Sequence, residues 1–527
     1  MRYRIKVTAG RIGCIFAAVL MIISLFGCGL KEDTSDMDEK ITVYDDNSAE
    51  KIDAGSISNA GLLPQILSDS EVLQEKSNGV ETTEWFKSII MVEFRVETAT
   101  EEGTFDAAIP LLDYYADLGV NCLWLTPIYA KGPGGNGYGN LGVHTVEPGL
   151  TGTENYEEGW LEVKKFVDEA HKRNIRIILD IITWGVMKDA PIIEEHPEFF
   201  SGEAWGNAAY NWQSEELKSW FADNAVNNIM VTGADGYRCD CEPNYSGYEV
   251  FGEIKSRLLE KGRKIVVISE DGNSREGVYD CEQDGVLRYD LISRGGLYQK
   301  PRQFYLGTMN IVDSVKSGTG IGSEALQQSG EGGTFRYYTY CVTNHDYQKR
   351  FVNGDLLKIG YQAIMAPFIP LWYMGDECGV TLEGSAVLYD VPVDFSVIDS
   401  GNNREFYNEL KRLINIRRTY SDIFEYFPES HRDSNICKVN TSGLWELQAY
   451  ARYSEDRAVI IIPNNQADSD GVFEAEIPYL EMGFKKGNYR ITNLLTGNVV
   501  SEGGREIRYI SGKVGYRELG IYLIEKI

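Results

Sequence analysis

A chain of 527 residues, 43% hydrophobic and 12% aromatic, has room for about two to four domains and the composition of a folded globular protein rather than a disordered one. Its 51 basic and 79 acidic side chains leave a formal charge of −28, which argues against a nucleic-acid backbone as partner and in its plainest reading serves solubility. The nine cysteines follow no CxxC spacing, so neither a disulfide framework nor a metal-ligand pattern is expected.

The first residues read as a targeting segment. MRYRIKVTAGR carries four positive charges and no acid, and the apolar run IGCIFAAVLMIISLF is too short for a comfortable membrane span. The run ends in LFGC, which resembles the lipobox of bacterial lipoproteins and implies that residues 1–27 are removed and Cys28 is acylated. An uncleaved anchor helix is the alternative, and either places the body outside the cytoplasmic membrane, lipid-anchored on its extracellular face in the first case. Residues 28–84 are polar and acidic without sustained periodicity, as expected of a flexible tether.

From residue 85 the pattern becomes regular. SIIMVEF (88–94) reads as a strand, TFDAAIPLLDYYADLG (104–119) as an amphipathic helix despite Pro110, and VNCLWL (120–125) as the next strand. Helix NYEEGWLEVKKFVDEAHKRN (155–174) places Val163, Phe166, Val167 and Ala170 on one face, and the apolar strand IRIILDI (175–181) follows. The alternation continues through a helix near 214–231, GADGYRCD (233–240), GYEVFGEIKSRLLEKG, KIVVISE, a weaker GVLRYD, YTYCVTNHD, DLLKIGYQAIMA, FIPLWYMG and EFYNELKRLINIRR. Eight such alternations argue for a parallel sheet closed into a barrel, with an open doubly wound sheet as the competitor. No Gly-x-Gly-x-x-Gly turn follows the first strand to support a dinucleotide fold. After residue 428 the pattern alternates apolar and polar residues between Gly, Asn and Asp turns, as an antiparallel sandwich does.

Several of these strands end in acids: Asp180, Asp240, Glu270 and Asp346. Parallel barrel strands are otherwise nearly all apolar, and catalytic groups in such barrels sit at strand C-termini. Helix capping accounts for one or two of these acids. It does not account for Arg238 two residues before Asp240, on the same strand face, or for the triplet Asn344, His345, Asp346. An ordinary ion pair explains Arg-x-Asp alone equally well.

From about Trp85 onward the chain resembles the α-amylase family of glycoside hydrolases, glycoside hydrolase family 13. WFKSIIMVEFRV is similar to the family's first strand, DLGVNCLWLTPIY to its second, and GYGNLGVHTVEP to its substrate-stacking loop. GADGYRCD, VISED, VTNHD and PLWYMGDE resemble, in order, the motifs of the nucleophile, the acid, the third acid and the eighth strand. The resemblance implies a (β/α)8 TIM barrel over 85–427, with a very short inserted loop region after strand 3, and a C-terminal antiparallel β-sandwich domain over 428–527.

By the same resemblance Asp240 is the nucleophile, Glu270 the general acid and base, and Asp346 the acid that grips the sugar hydroxyls. Arg238 would hold Asp240 ionised, whereas Glu270 needs a pKa raised by burial and neighbouring carboxylates. Tyr138 would stack on the sugar and His345 would bond its hydroxyls, with Asn344, Asp180 and Trp184 completing the substrate-binding set. Trp205, Trp212 and Trp372 are either further platforms or core. The family commonly has Asn-His where Trp184 and Gly185 stand, so a sugar-bonding histidine is missing and His144 is a candidate substitute. No cofactor or metal is needed for the chemistry. A structural calcium is the one ion the resemblance raises, and Pro243 and Asn244 replace the usual Lys-His whose carbonyl contributes to it.

The expected activity is that of a surface-tethered retaining α-glycosidase of the α-amylase or α-glucosidase type, acting on α-glucan or maltooligosaccharides. A non-catalytic glycan-binding lipoprotein on a degenerate barrel, and a transglycosylase using the same residues, are the alternatives.

Overall fold

The computed structural model describes residues 84–241, 243, 247, 249–270, 281–282, 328–329, 334–335, 337–341, 344–345, 361–366, 368–378, 392–425, 435–443, 449–464, 470–516 and 518–527. The expected signal, tether and Cys28 lie outside these residues, as do Asp346 and the segment GVLRYD.

Eight parallel strands close into a barrel: β1 (Met91–Phe94), β2 (Cys122–Leu125), β3 (Arg176–Ile182), β4 (Gly236–Asp240), β5 (Val266–Ser269), β6 (Cys281–Glu282), β7 (Tyr337–Cys341) and β8 (Ile369–Tyr373). Each pairs with its sequence neighbours and β8 returns to β1, which excludes the open doubly wound sheet. The sixth strand is placed at Cys281–Glu282, upstream of the segment expected from periodicity.

The helices between them follow local chemistry. Helix α1 (Phe105–Leu118) starts where the Thr104 hydroxyl accepts from Ala107 N, runs through Pro110, and ends at Gly119 in the left-handed region (φ 99°). It buries Phe105, Ala108, Leu112, Tyr115 and Leu118, a stripe at helical spacing. Helix α2 (Tyr156–Lys172) is capped by Asn155 and buries the four residues expected from its pattern together with Trp160. Helices α3 (Glu215–Thr232), α4 (Glu249–Glu260) and α5 (Asn403–Thr419) continue the outer layer.

The segment after β3 is more than a loop. Gly185–Val186, Phe200–Ala204 and Asn207–Tyr210 form a three-stranded antiparallel sheet whose hairpin tip is Trp205-Gly206.

Beyond the barrel lie two antiparallel sheets. The strands are β9 (Ile436–Val439), β10 (Thr441–Gly443), β11 (Ala449–Tyr453), β12 (Arg457–Pro463), β13 (Gly471–Glu476), β14 (Tyr489–Asn493), β15 (Val499–Gly503), β16 (Tyr509–Val514) and β17 (Leu519–Lys526). One sheet has the order β9-β11-β12-β17-β14-β15, the other β10-β13-β16. Their facing side chains, among them Ile460, Phe473, Ile491 and Ile510, share a core, as in a sandwich.

Candidate active site

The pleat answers why an arginine and an aspartate stand two apart. On β4, Arg238 and Asp240 point to the same side, and β4 is registered on β3 so that Arg238 lies opposite Asp180 and Asp240 opposite Ile182. Arg238 is fully buried and reaches three acids. Its Nη1 donates to Asp240 Oδ1 at 2.9 Å and to both Asp180 oxygens at 3.2 Å, and its Nη2 lies 2.8 Å from Glu270 Oε1. The guanidinium also sits over the Trp124 ring, 4.7 Å from its centroid. Glu270, just past β5, accepts from the Cys241 N–H at 2.8 Å. One oxygen each of Asp240 and Glu270 lie within 4.8 Å of each other, and the Cys241 sulfur is equally near.

A second layer stands behind these acids. Asp180 Oδ2 accepts from Trp124 Nε1 at 3.0 Å and from the Tyr138 hydroxyl at 2.9 Å. The Tyr138 ring stacks on His345 with centroids 4.3 Å apart. His345 is held in turn by Glu93: its N–H donates to Oε2 at 3.0 Å, and its Nδ1 lies 2.5 Å from Oε1. Five of the residues expected near substrate, Arg238, Asp180, Tyr138, His345 and Trp184, are thus linked to one another. Asn344 is fully buried beside His345. Glu93 and Trp124 are the members that the sequence reading passed over. A glutamate inside the apolar strand MVEF is the signal that could have found Glu93.

Electrostatics differ from the simple expectation for Asp240. Burial pushes its carboxyl well above the usual carboxylate range and the charge of Glu270 adds to this, while Arg238 and His345 oppose it. Arg238 therefore does not fix the charge of Asp240 by itself. Burial also raises Asp180 to about 6, against the pull of Arg238 and His345.

The Trp184-Gly185 departure has a steric cause. Gly185 has φ 151° and pairs with Ala209 of the small sheet, and a Cβ there would stand 2.0 Å from the Ala208 carbonyl oxygen. No histidine fits at that position. Trp184 is half-buried, donates its indole N–H to the Tyr138 carbonyl at 3.2 Å and meets Trp205 edge-on. Trp205 is 69% exposed, whereas Trp212 and Trp372 are core residues whose N–H groups bond Thr183 O and Glu377 Oε2. His144 does not take the missing histidine's place within this network. It is buried with its ring against Trp220 of α3, and burial lowers its pKa to about 4.

Among the described residues the one group of three His, Cys, Asp or Glu side chains close enough to share an ion is Asp240, Cys241 and Glu270, which includes a thiol and already holds Arg238, unlike the all-oxygen cage of a hard cation.

This geometry belongs to a (β/α)8 barrel with acids gathered at the C-terminal ends of its strands, and comparison with known proteins narrows it further. Residues 88–196 match the family model for the α-amylase catalytic domain. The chain is 26% identical over 333 residues to malto-oligosyltrehalose trehalohydrolase of Saccharolobus solfataricus, covering 56% of this chain and 57% of that protein. It is 23% identical over 393 residues to alpha-amylase 2 of Dictyoglomus thermophilum, covering 66% and 65%. The chain thus spans between half and two thirds of the length of these curated relatives. Among solved structures, the maltogenic alpha-amylase AmyB of Thermotoga neapolitana superposes with a TM-score of 0.63 at 17% identity, covering 84% of this chain and 99% of that one. At that identity the likeness is one of fold. The barrel that residues 88–196 open is similar to the α-amylase catalytic domain.

Proposed function

We propose that this protein is a retaining α-glycosidase that cleaves α-glucosidic bonds of α-glucan or maltooligosaccharides. The observation that carries the reading is the approach of Asp240 and Glu270 to within 4.8 Å around one guanidinium. Retaining enzymes hold their two carboxyl groups about 5–5.5 Å apart, and inverting ones about 6.5–9.5 Å to admit water.

Asp240 attacks the anomeric carbon as the glycosidic C–O bond breaks, and the proton of Glu270 passes to the departing oxygen. Glu270, now a carboxylate, takes a proton from water, whose oxygen displaces Asp240 from the sugar. The upward push on Asp240 is compatible with this sequence. Part of it comes from the charge of Glu270, and that part vanishes when Glu270 carries the proton it must donate. Arg238 and His345 then work against burial and the charge of Asp180. Tyr138 would offer a sugar the ring face away from His345. Asp346 takes the ring-gripping role by resemblance. The relatives' names, trehalohydrolase and amylase, support an α-glucan substrate class. The charged, apolar and LFGC segments at the N-terminus support attachment through Cys28.

The same upward push on Asp240 favours a second reading, a glycan-binding protein on a retired barrel, since a protonated carboxyl cannot attack. Incubation of the detergent-solubilised chain with maltotriose to maltoheptaose and with α-1,6- and α,α-1,1-linked disaccharides separates the two. We expect α-anomeric products at a rate reduced about 10⁴-fold or more in Asp240→Ala. Intact oligosaccharides together with retained glycan binding would replace catalysis by the binding reading. Products longer than the substrate would assign transfer.

A further inference from the structure

The β-sandwich carries a cleft that the barrel chemistry does not use. It encloses about 490 Å³ at the corner where the chain passes from β9 to β10, beside the segment that follows β13. That volume lies within the range of small-ligand sites, about 300–1,000 Å³.

Four cations line it, Lys438, Lys486, Arg505 and Arg508, against two carboxylates, Glu476 and Glu481. In a chain of net charge −28 this is a local reversal of sign. Among the described residues, Lys486, Arg505 and Arg508 form no ion pair with a carboxylate. The Arg505 guanidinium lies 5.7 Å from the centroid of the Tyr479 ring. Tyr479, only 5% exposed, also lines the cleft. The adjoining Leu480 is 81% exposed.

We propose that this cleft binds an acidic oligosaccharide. Carboxylate or phosphate groups on the sugar pair with Lys486, Arg505 and Arg508, and its hydroxyls donate to Glu476 and Glu481. A ring face lies against Leu480. The mixture of charges selects this class. A polyanion without hydroxyls meets two carboxylates and donates nothing to them, and a neutral sugar leaves three cations unused. The site is independent of the barrel's activity.

Calorimetric titration of the full chain with tetragalacturonate, phosphorylated maltotetraose, maltotetraose and inorganic tripolyphosphate tests it. At least one acidic sugar binds about 10-fold or more tightly than maltotetraose, and weakens as salt rises from about 50 to about 300 mM. The double variant Lys486→Ala/Arg508→Ala, at exposed positions, lowers that affinity about 10-fold or more. Whichever acidic sugar binds identifies the carboxylate or the phosphate as the anionic group. Failure of both acidic sugars to bind, equal binding of maltotetraose, or affinity unchanged in the double variant overturns the site. Tripolyphosphate binding as tightly as the acidic sugar overturns its assignment to an oligosaccharide.

Discussion

Three acids from three strands share one guanidinium, and the geometry of that group decides what the cluster can do. Arg238 Nη1 is divided between Asp180 and Asp240 while Nη2 serves Glu270, an arrangement that a planar fork allows and an ammonium does not. Arg238→Lys would therefore keep the charge and lose the division. We expect Arg238→Ala to lower kcat/KM about 10³-fold and Arg238→Lys to recover only part of that loss. Arg238 opposes the upward push on both aspartates, so without it both rise further, and the acid limb of the pH–rate profile moves to higher pH. A limb that stays in place would separate Arg238 from the charge of Asp240. Gly185 gives a second prediction at this scale. Gly185→Ala forces a Cβ against the Ala208 carbonyl and should destabilise the protein by about 2 kcal/mol or more, read as a lowered denaturation midpoint. Restoring the family's histidine there should be worse, not better.

At the scale of elements, much was legible because patterns of 2 and 3.6 residues belong to single strands and helices. Val163, Phe166, Val167 and Ala170 are buried where their spacing put them, and GADGYRCD ends in the strand that carries Arg238 and Asp240. What stayed hidden depends on contacts between distant segments. Trp124 and Glu93 became part of the site only because β1 and β2 pair in register, Glu93 opposite Trp124. The small sheet after β3 was hidden because its strands are short, and its charged and glycine residues read as loop. Asp235, just before β4, is another such residue. It accepts from His171 Nε2 at 2.8 Å, Arg176 Nη1 at 3.0 Å and the Ile177 N–H at 2.9 Å, and so ties α2, β3 and β4 together. Burial alone would raise its pKa, but His171 and Arg176 overcome this and hold it below the usual range. A carboxyl whose folded pKa is depressed stabilises fully above its unfolded value, about 3.9, and that stabilisation is lost as pH falls through the folded value. Asp235→Ala should accordingly cost about 3–5 kcal/mol near neutral pH, and the gap from the unsubstituted protein should narrow below about pH 4. Urea unfolding at a series of pH values measures it, and a gap independent of pH would remove the ionic explanation.

Across the whole molecule the sheet of β12 serves two cores. Ala458, Ile460 and Ile462 belong to the sandwich interior, and Val459 and Ile461, one residue off on the same strand, belong to the barrel's. This is why RAVIIIP reads as an unbroken apolar run instead of the alternation expected of a sandwich with one wet face. Arginine rather than carboxylate chemistry closes the seam. Arg452 on β11 donates to the carbonyls of Ile423, Phe424 and Ala366 and to Asn435 Oδ1, while Arg417 on α5 holds those of Ile364, Ala366 and Phe368. Both guanidiniums are buried, and burial lowers their pKa values to about 10 for Arg417 and about 9 for Arg452. Two effects of opposite sign follow from replacing Arg452 by methionine. The chain no longer buries that charge, yet the Phe424 carbonyl and Asn435 Oδ1 lose a donor in a space where an unpaired group costs about 1–3 kcal/mol, and the Ile423 carbonyl keeps only Asn435 Nδ2. The second effect is the larger because it acts at several groups at once, so Arg452→Met should lose about 2–4 kcal/mol. Since those acceptors lie between the last barrel helices and β11, the loss falls on the coupling of the two units more than on either core. Scanning calorimetry of Arg452→Met should then resolve the sandwich melting ahead of the barrel, whereas the unsubstituted protein should melt in one transition; a single transition of undiminished midpoint in the variant would mean that the apolar contacts of Val459 and Ile461 hold the seam alone.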